Sequence, residues 1–116
     1  MSTINWERVN TFADMNDPED LEWLRETAKE LVKSMNQKLE TINFLLTTPD
    51  REALVSICHQ IKGVSSNFGL DAVYEICLNA EKILKTDVWE SSLPILANLN
   101  TIWINSSEEL SQVLKI

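Results

Sequence analysis

Eight apolar residues (Leu21, Leu24, Ala28, Leu31, Met35, Leu39, Ile42 and Leu46) recur at steps of three and four along the first half of the chain. A stripe of that period, sustained over about seven turns, demands a long amphipathic helix with one face buried. A helix of that length cannot bury its stripe alone. The chain must supply further helices to cover it, and the rest of the sequence is written in the same period.

The chain has 116 residues, with only two glycines and three prolines. So few chain-reversing residues disfavour a turn-rich β fold and favour long helices. Ile4, Trp6, Val9, Phe12 and Ala13 space as a short N-terminal helix that Ser2 or Thr3 can cap. Asp17 is placed to cap the long helix, with Pro18 at its first position and Glu19 and Asp20 suiting the positive end of the dipole. Trp23 and Phe44 fall off the stripe, so each is either covered by the N-terminal helix or part of a partner surface. Thr47, Thr48, Pro49 and Asp50 end this helix, and Asp50 or Thr48 starts the next.

A third helix is expected from about Asp50 to Phe68, closed by Gly69 in the left-handed conformation. Asp71 opens a fourth, whose apolar face is Leu70, Val73, Ile76, Cys77, Ala80, Ile83 and Leu84. After a turn at Thr86–Asp87, Ser91 or Ser92 caps a last helix, with Pro94 in its first turn and Leu96, Leu99, Trp103, Leu110, Val113 and Leu114 facing inward. The fold class expected is all-α: an antiparallel up-and-down four-helix bundle with a short extra N-terminal helix. No repeat or linker divides it, so residues 1–116 read as one domain.

The charge of −8 argues against nucleic acid and against anionic lipid, since both need clustered Lys and Arg. No apolar run spans a bilayer and no signal-peptide core is present, so a cytoplasmic protein with no membrane partner is expected. Cys58 and Cys77 fall at apolar positions and read as buried free thiols in a reducing compartment.

The only histidine and both glycines lie within eleven residues, His59 to Gly69. Taking Leu54 as zero and about 100° per residue, Ile57, Ile61, Val64 and Phe68 fall between about 280° and 340° and define the buried stripe. His59 falls at about 140°, with Lys62, Ser66 and Gly63 around it at about 80°, 120° and 180°. A glycine inside a helix costs roughly 0.5–1 kcal/mol relative to alanine. On an outward face beside an imidazole, that cost fits a need for another molecule to come close.

Other histidine chemistry fares poorly. There is no second histidine to help hold a metal. Ser65, Ser66 and Cys58 lie at i+6, i+7 and i−1 of His59, and one straight helix does not bring them into a nucleophile–base geometry. A Cys58–His59 redox pair diverges by about 100° around the helix axis.

The run His59-Gln60-Ile61-Lys62-Gly63-Val64-Ser65-Ser66-Asn67-Phe68-Gly69 resembles the signature of the histidine-containing phosphotransfer (HPt) domain family, His-x-apolar-Lys-Gly-x-Ser-x-x-apolar-Gly. Ile4 to Arg8 resembles an HPt opening, Asp17-Pro18 with the long stripe resembles the first bundle helix, and Cys77 to Glu81 resembles the fourth-helix pattern ending in an apolar–acidic pair. The departures are Cys58 where a small residue is usual, Val64 where serine is frequent and Leu70 where alanine is frequent; none removes a functional group.

The resemblance implies a phosphocarrier without kinase activity, an intermediate of a two-component phosphorelay. His59 would accept a phosphoryl group from a receiver-domain aspartate and pass it to another receiver. Lys62 would stabilise the phosphoryl group, Gly63 would let the receiver approach and Ser66 would offer a hydrogen bond. Gln60 and Val55 would contact the partner. The implied partners are response-regulator receiver domains and a hybrid sensor histidine kinase. The chain itself would bind no cofactor, Mg²⁺ sitting on the partner receiver, and would be monomeric.

Two other readings stand beside this one. A helical adaptor would bind a receiver or kinase without carrying phosphate. The phosphoacceptor domain of a histidine kinase normally follows its histidine with an acidic residue, where this chain has Gln60.

Overall fold

The long stripe folds as a helix of 30 residues, Pro18–Thr47, and it sets the length of the molecule. At 1.5 Å per residue such a helix is about 45 Å long, against a longest molecular dimension of 49 Å. The structure, a computed structural model, describes residues 2–116. It contains α1 (Trp6–Asn10), α2 (Pro18–Thr47), α3 (Arg51–Phe68), α4 (Asp71–Leu84), α5 (Ser92–Ala97) and α6 (Leu99–Leu114), with a 3-10 turn at Trp89–Ser91 before α5. No strand occurs among the described residues. Short connections make α2, α3 and α4 successive antiparallel neighbours, and α6 returns to pack on α2 and close the bundle.

The helix ends follow from local chemistry. Asp17 Oδ1 accepts from the backbone N–H of Glu19 with Pro18 behind it, and Asp50 Oδ1 accepts from that of Ala53. Gly69, at φ 76°, closes α3, and the N–H groups of Gly69 and Leu70 both donate to the Ser65 carbonyl. All three arginines of the sequence serve helix C-termini. Arg8 Nη1 donates to Ser66 O at 3.1 Å, Arg25 Nε to Leu114 O at 2.8 Å, and Arg51 Nε to Leu84 O at 2.7 Å. These carbonyls have no intrahelical partner, and a cation there also meets the negative end of the dipole.

Several details differ from the sequence expectation. The buried stripe of α2 ends at Leu45, while Leu21 and Leu46 are only half-buried. A period of 3.6 drifts over 30 residues, and the final step of three carries Leu45 inward. The cap of α1 is Asn5, whose side chain accepts from the Arg8 N–H; Ser2 and Thr3 are drawn instead to α6. The expected last helix is two helices. Pro94 supplies no N–H, the chain tightens at Asn98, whose N–H reaches Ile95 O, and α6 restarts. Reciprocal amide hydrogen bonds between Asn43 and Asn100 tie that restart to α2. Ser91 makes no side-chain cap, and Val113 is exposed where the stripe put it inward. Phe44 is 62% exposed and covered by nothing. Trp23 is partly covered: the Phe12 ring meets it edge-on at 6.1 Å, yet 52% of it remains exposed.

Candidate functional site

Helix α3 carries two faces with different work. Leu54, Ile57, Cys58, Ile61, Ser65 and Phe68 are buried and anchor it. His59, Gln60 and Gly63 are exposed. A Cβ built on Gly63 meets nothing within 4 Å, so no neighbour inside this chain requires a glycine there. Gly69 is the opposite case: its Cβ would lie 2.8 Å from Asn5 O, and its φ is left-handed.

His59, Lys62 and Gly63 fall within little more than one turn of one another. Ser66 lies a further turn on, about 10 Å from His59 along the axis, half-buried beside a hollow shared with Arg8, Asp71, Tyr74 and Glu75. Ser65, the serine of the motif, is buried in the core, its hydroxyl without a hydrogen-bond partner. Gln60 Nε2 donates to Ser56 Oγ at 3.3 Å. Val55, one turn before His59, is half-buried against a hollow lined also by Arg51, Glu52, Leu84 and Lys85.

Lys62 is not a free cation. Its Nζ lies 3.0 Å from Oε2 of Glu81 on α4, and Lys85 Nζ lies 3.1 Å from the other oxygen, Oε1. Lys85 donates a hydrogen bond to that oxygen, while the equally short contact of Lys62 with Oε2 is less well aligned. Pairing with Glu81 raises the Lys62 ammonium above its ordinary value, with burial opposing. Burial pushes the Glu81 carboxyl up, but the two ammonium groups outweigh it and hold it below the usual range. In the sequence Glu81 stands out only as part of an apolar–acidic pair; its Lys62 partner comes from another helix and is invisible in the local pattern.

Behind His59, Cys58 and Cys77 are buried free thiols. Contact with Cys58, together with burial, pushes the Cys77 thiol far above its ordinary value, so thiolate chemistry is suppressed there. Among the described residues no cluster of His, Cys, Asp or Glu could hold a metal, and no helix is long and apolar enough to cross a membrane.

Beside the exposed face runs an apolar groove of about 570 Å³ between α2 and α3, lined chiefly by Phe12, Trp23, Leu31, Val64, Asn67 and Phe68. On α3 its near wall, Asn67, falls at about 220°, next to Gly63 at about 180°. Groove and histidine face are therefore continuous.

Against known protein families, residues 19–114 match the Hpt domain model, a span that takes in all of α2 but its first residue and the whole of α3, α4, α5 and α6. No curated protein and no solved structure gives a significant match. An all-α bundle with this match is sufficient: the chain belongs to the Hpt domain family, whose members are phosphocarrier modules of histidine phosphotransfer in two-component signalling and interact with receiver domains and histidine kinases.

Proposed function

We propose that His59 is the phosphoacceptor and that the protein relays phosphoryl groups between receiver-domain aspartates without kinase activity of its own. The observation that carries this is the exposed imidazole on the outward face of α3, beside a glycine whose side of the helix is open. A neutral imidazole nitrogen attacks the phosphorus of an aspartyl phosphate. The P–N bond forms as the acyl phosphate P–O bond breaks, aspartate leaves as carboxylate, and the displaced imidazole proton goes to solvent. The return step to a second receiver reverses this.

Phosphoryl transfer asks mainly for positioning and charge neutralisation. The receiver would bring Mg²⁺ and most of the charge, so this chain binds no cofactor. Lys62 contributes the nearby cation, Gly63 the space for the receiver's loops, and Ser66 a hydrogen bond through water. Gln60 and Val55 lie where the rim of a docked receiver falls. The apolar groove is assigned to the same partner because it adjoins the histidine face, and a docked receiver would cover both. A hybrid sensor kinase supplies the donor receiver, and the protein works as a cytoplasmic monomer.

The test is incubation with a phosphorylated receiver domain. Acid-labile label is expected on the wild type and none on His59→Gln. Equal labelling of that variant overturns the assignment. Binding of the receiver without any label on the wild type would instead make the protein an adaptor.

A further inference from the structure

Glu81 sits where a carboxylate is expensive, with 7% of its surface exposed, and it is shared by two lysines of unequal standing. Lys85 reaches it from one turn along the same helix, through Oε1. Lys62 reaches it from α3, through Oε2, and stands one turn from His59. The two cations use different oxygens, so Lys62 can leave without disturbing Lys85. A nearly buried carboxylate stripped of its only cation is strongly penalised; one that keeps a second cation is not.

We propose that Glu81 is a positioning residue that parks Lys62 beside His59 and releases it to an arriving phosphoryl group, with Lys85 remaining to neutralise the carboxylate. This deepens the phosphotransfer reading and rests on it. In the resting protein Lys62 meets Oε2 in a 3.0 Å ion pair that is less well aligned than the Lys85 hydrogen bond to Oε1. A phosphoryl group on His59 presents a doubly charged competitor within reach of the same flexible side chain. The departure of Lys62 leaves the Glu81–Lys85 pair intact, which keeps the exchange near balance in both directions. Lys85, a helix away from the imidazole, then acts on Lys62 through Glu81.

The test is a cycle of variants labelled by a phosphorylated receiver, with thermal melts to verify folding. Lys85→Ala should slow labelling of His59 by about five-fold, the size of a coupling between contacting charged groups, and Lys85→Arg should restore it. In a Glu81→Gln background Lys85→Ala should have no further effect. The residual rate of Lys62→Ala should likewise be insensitive to Lys85→Ala, which keeps the test alive if Glu81→Gln folds poorly. A Lys85→Ala effect of equal size in all three backgrounds overturns the proposal, because Lys85 would then be touching the partner directly. Absence of label on the wild type overturns the phosphotransfer reading and this mechanism with it.

Discussion

The Asn5 backbone N–H donates to Gly69 O at 2.7 Å, and the Asn5 carbonyl lies so close that a Cβ on Gly69 would meet it at 2.8 Å. The N-terminal segment is thereby fastened to the corner between α3 and α4, where Asn5 Nδ2 also reaches Asp71 Oδ2 and Arg8 caps α3. Gly69→Ala must pay for a left-handed φ and then move the Asn5 backbone. A loss of about 2–4 kcal/mol is expected, measurable by denaturant unfolding, with loosening of the N-terminal segment visible in amide exchange.

Gly63 predicts the reverse. Its Cβ position is empty and its backbone is ordinary helix, so Gly63→Ala should stabilise the protein by about 0.5–1 kcal/mol. Gly63→Leu should fold equally well yet slow phosphoryl transfer at least several-fold, because the added bulk stands where the receiver must approach. Unfolding midpoints and labelling rates on the same two variants separate the effects. A Leu variant that transfers at the wild-type rate would remove Gly63 from the working face.

That contrast marks what could be read in the sequence. The stripes of α2, α3 and α4, the caps Asp17 and Asp50 and the Gly69 stop were legible because each depends on neighbours within a few residues. The division of α3 into an outward His59 and an inward Ile61 is the same kind of fact. What escaped depends on residues far apart in the chain. Glu81 pairs with Lys62, and Ser2 and Thr3 bind Glu109 instead of capping α1. The break at Asn98 escaped because Pro94 is tolerated in a first turn, so the apolar period runs through it unbroken.

Glu109 makes a third prediction, on pH. Its carboxylate gathers the Thr3 N–H at 2.8 Å, the Trp6 indole N–H at 2.6 Å and the Ser2 hydroxyl. Burial pushes its carboxyl up, but these hydrogen bonds outweigh it and hold the group below the usual carboxylate range. A folded value below the unfolded one, about 4.3 for Glu, gives stability that is present above that pH and is lost as pH falls through the folded value. Glu109→Gln should therefore cost about 1–2 kcal/mol near neutrality. The gap to wild type should narrow in unfolding curves taken below about pH 4. A gap that is constant with pH would mean that the ionised carboxylate is not what holds the N-terminal segment.

The last prediction separates the groove from mere exposed hydrophobicity. Trp23 and Phe44 both stand on α2, both are more than half exposed, and only Trp23 lines the groove. They are 21 residues apart, about 30 Å along the helix, so Phe44 stands well away from the groove that Trp23 lines. Trp23→Ala gives up one edge-on contact with Phe12, about 0.5–1.5 kcal/mol of stability. If the ring anchors the partner, the loss in binding should be larger, on the order of ten-fold in Kd for the receiver. Labelling at saturating receiver should be nearly unchanged, since Trp23 touches no reacting group. Phe44→Ala should change neither quantity. Calorimetric titration with a receiver domain, paired with labelling rates across receiver concentration, reads both; equal behaviour of the two variants would move the docking surface away from the groove.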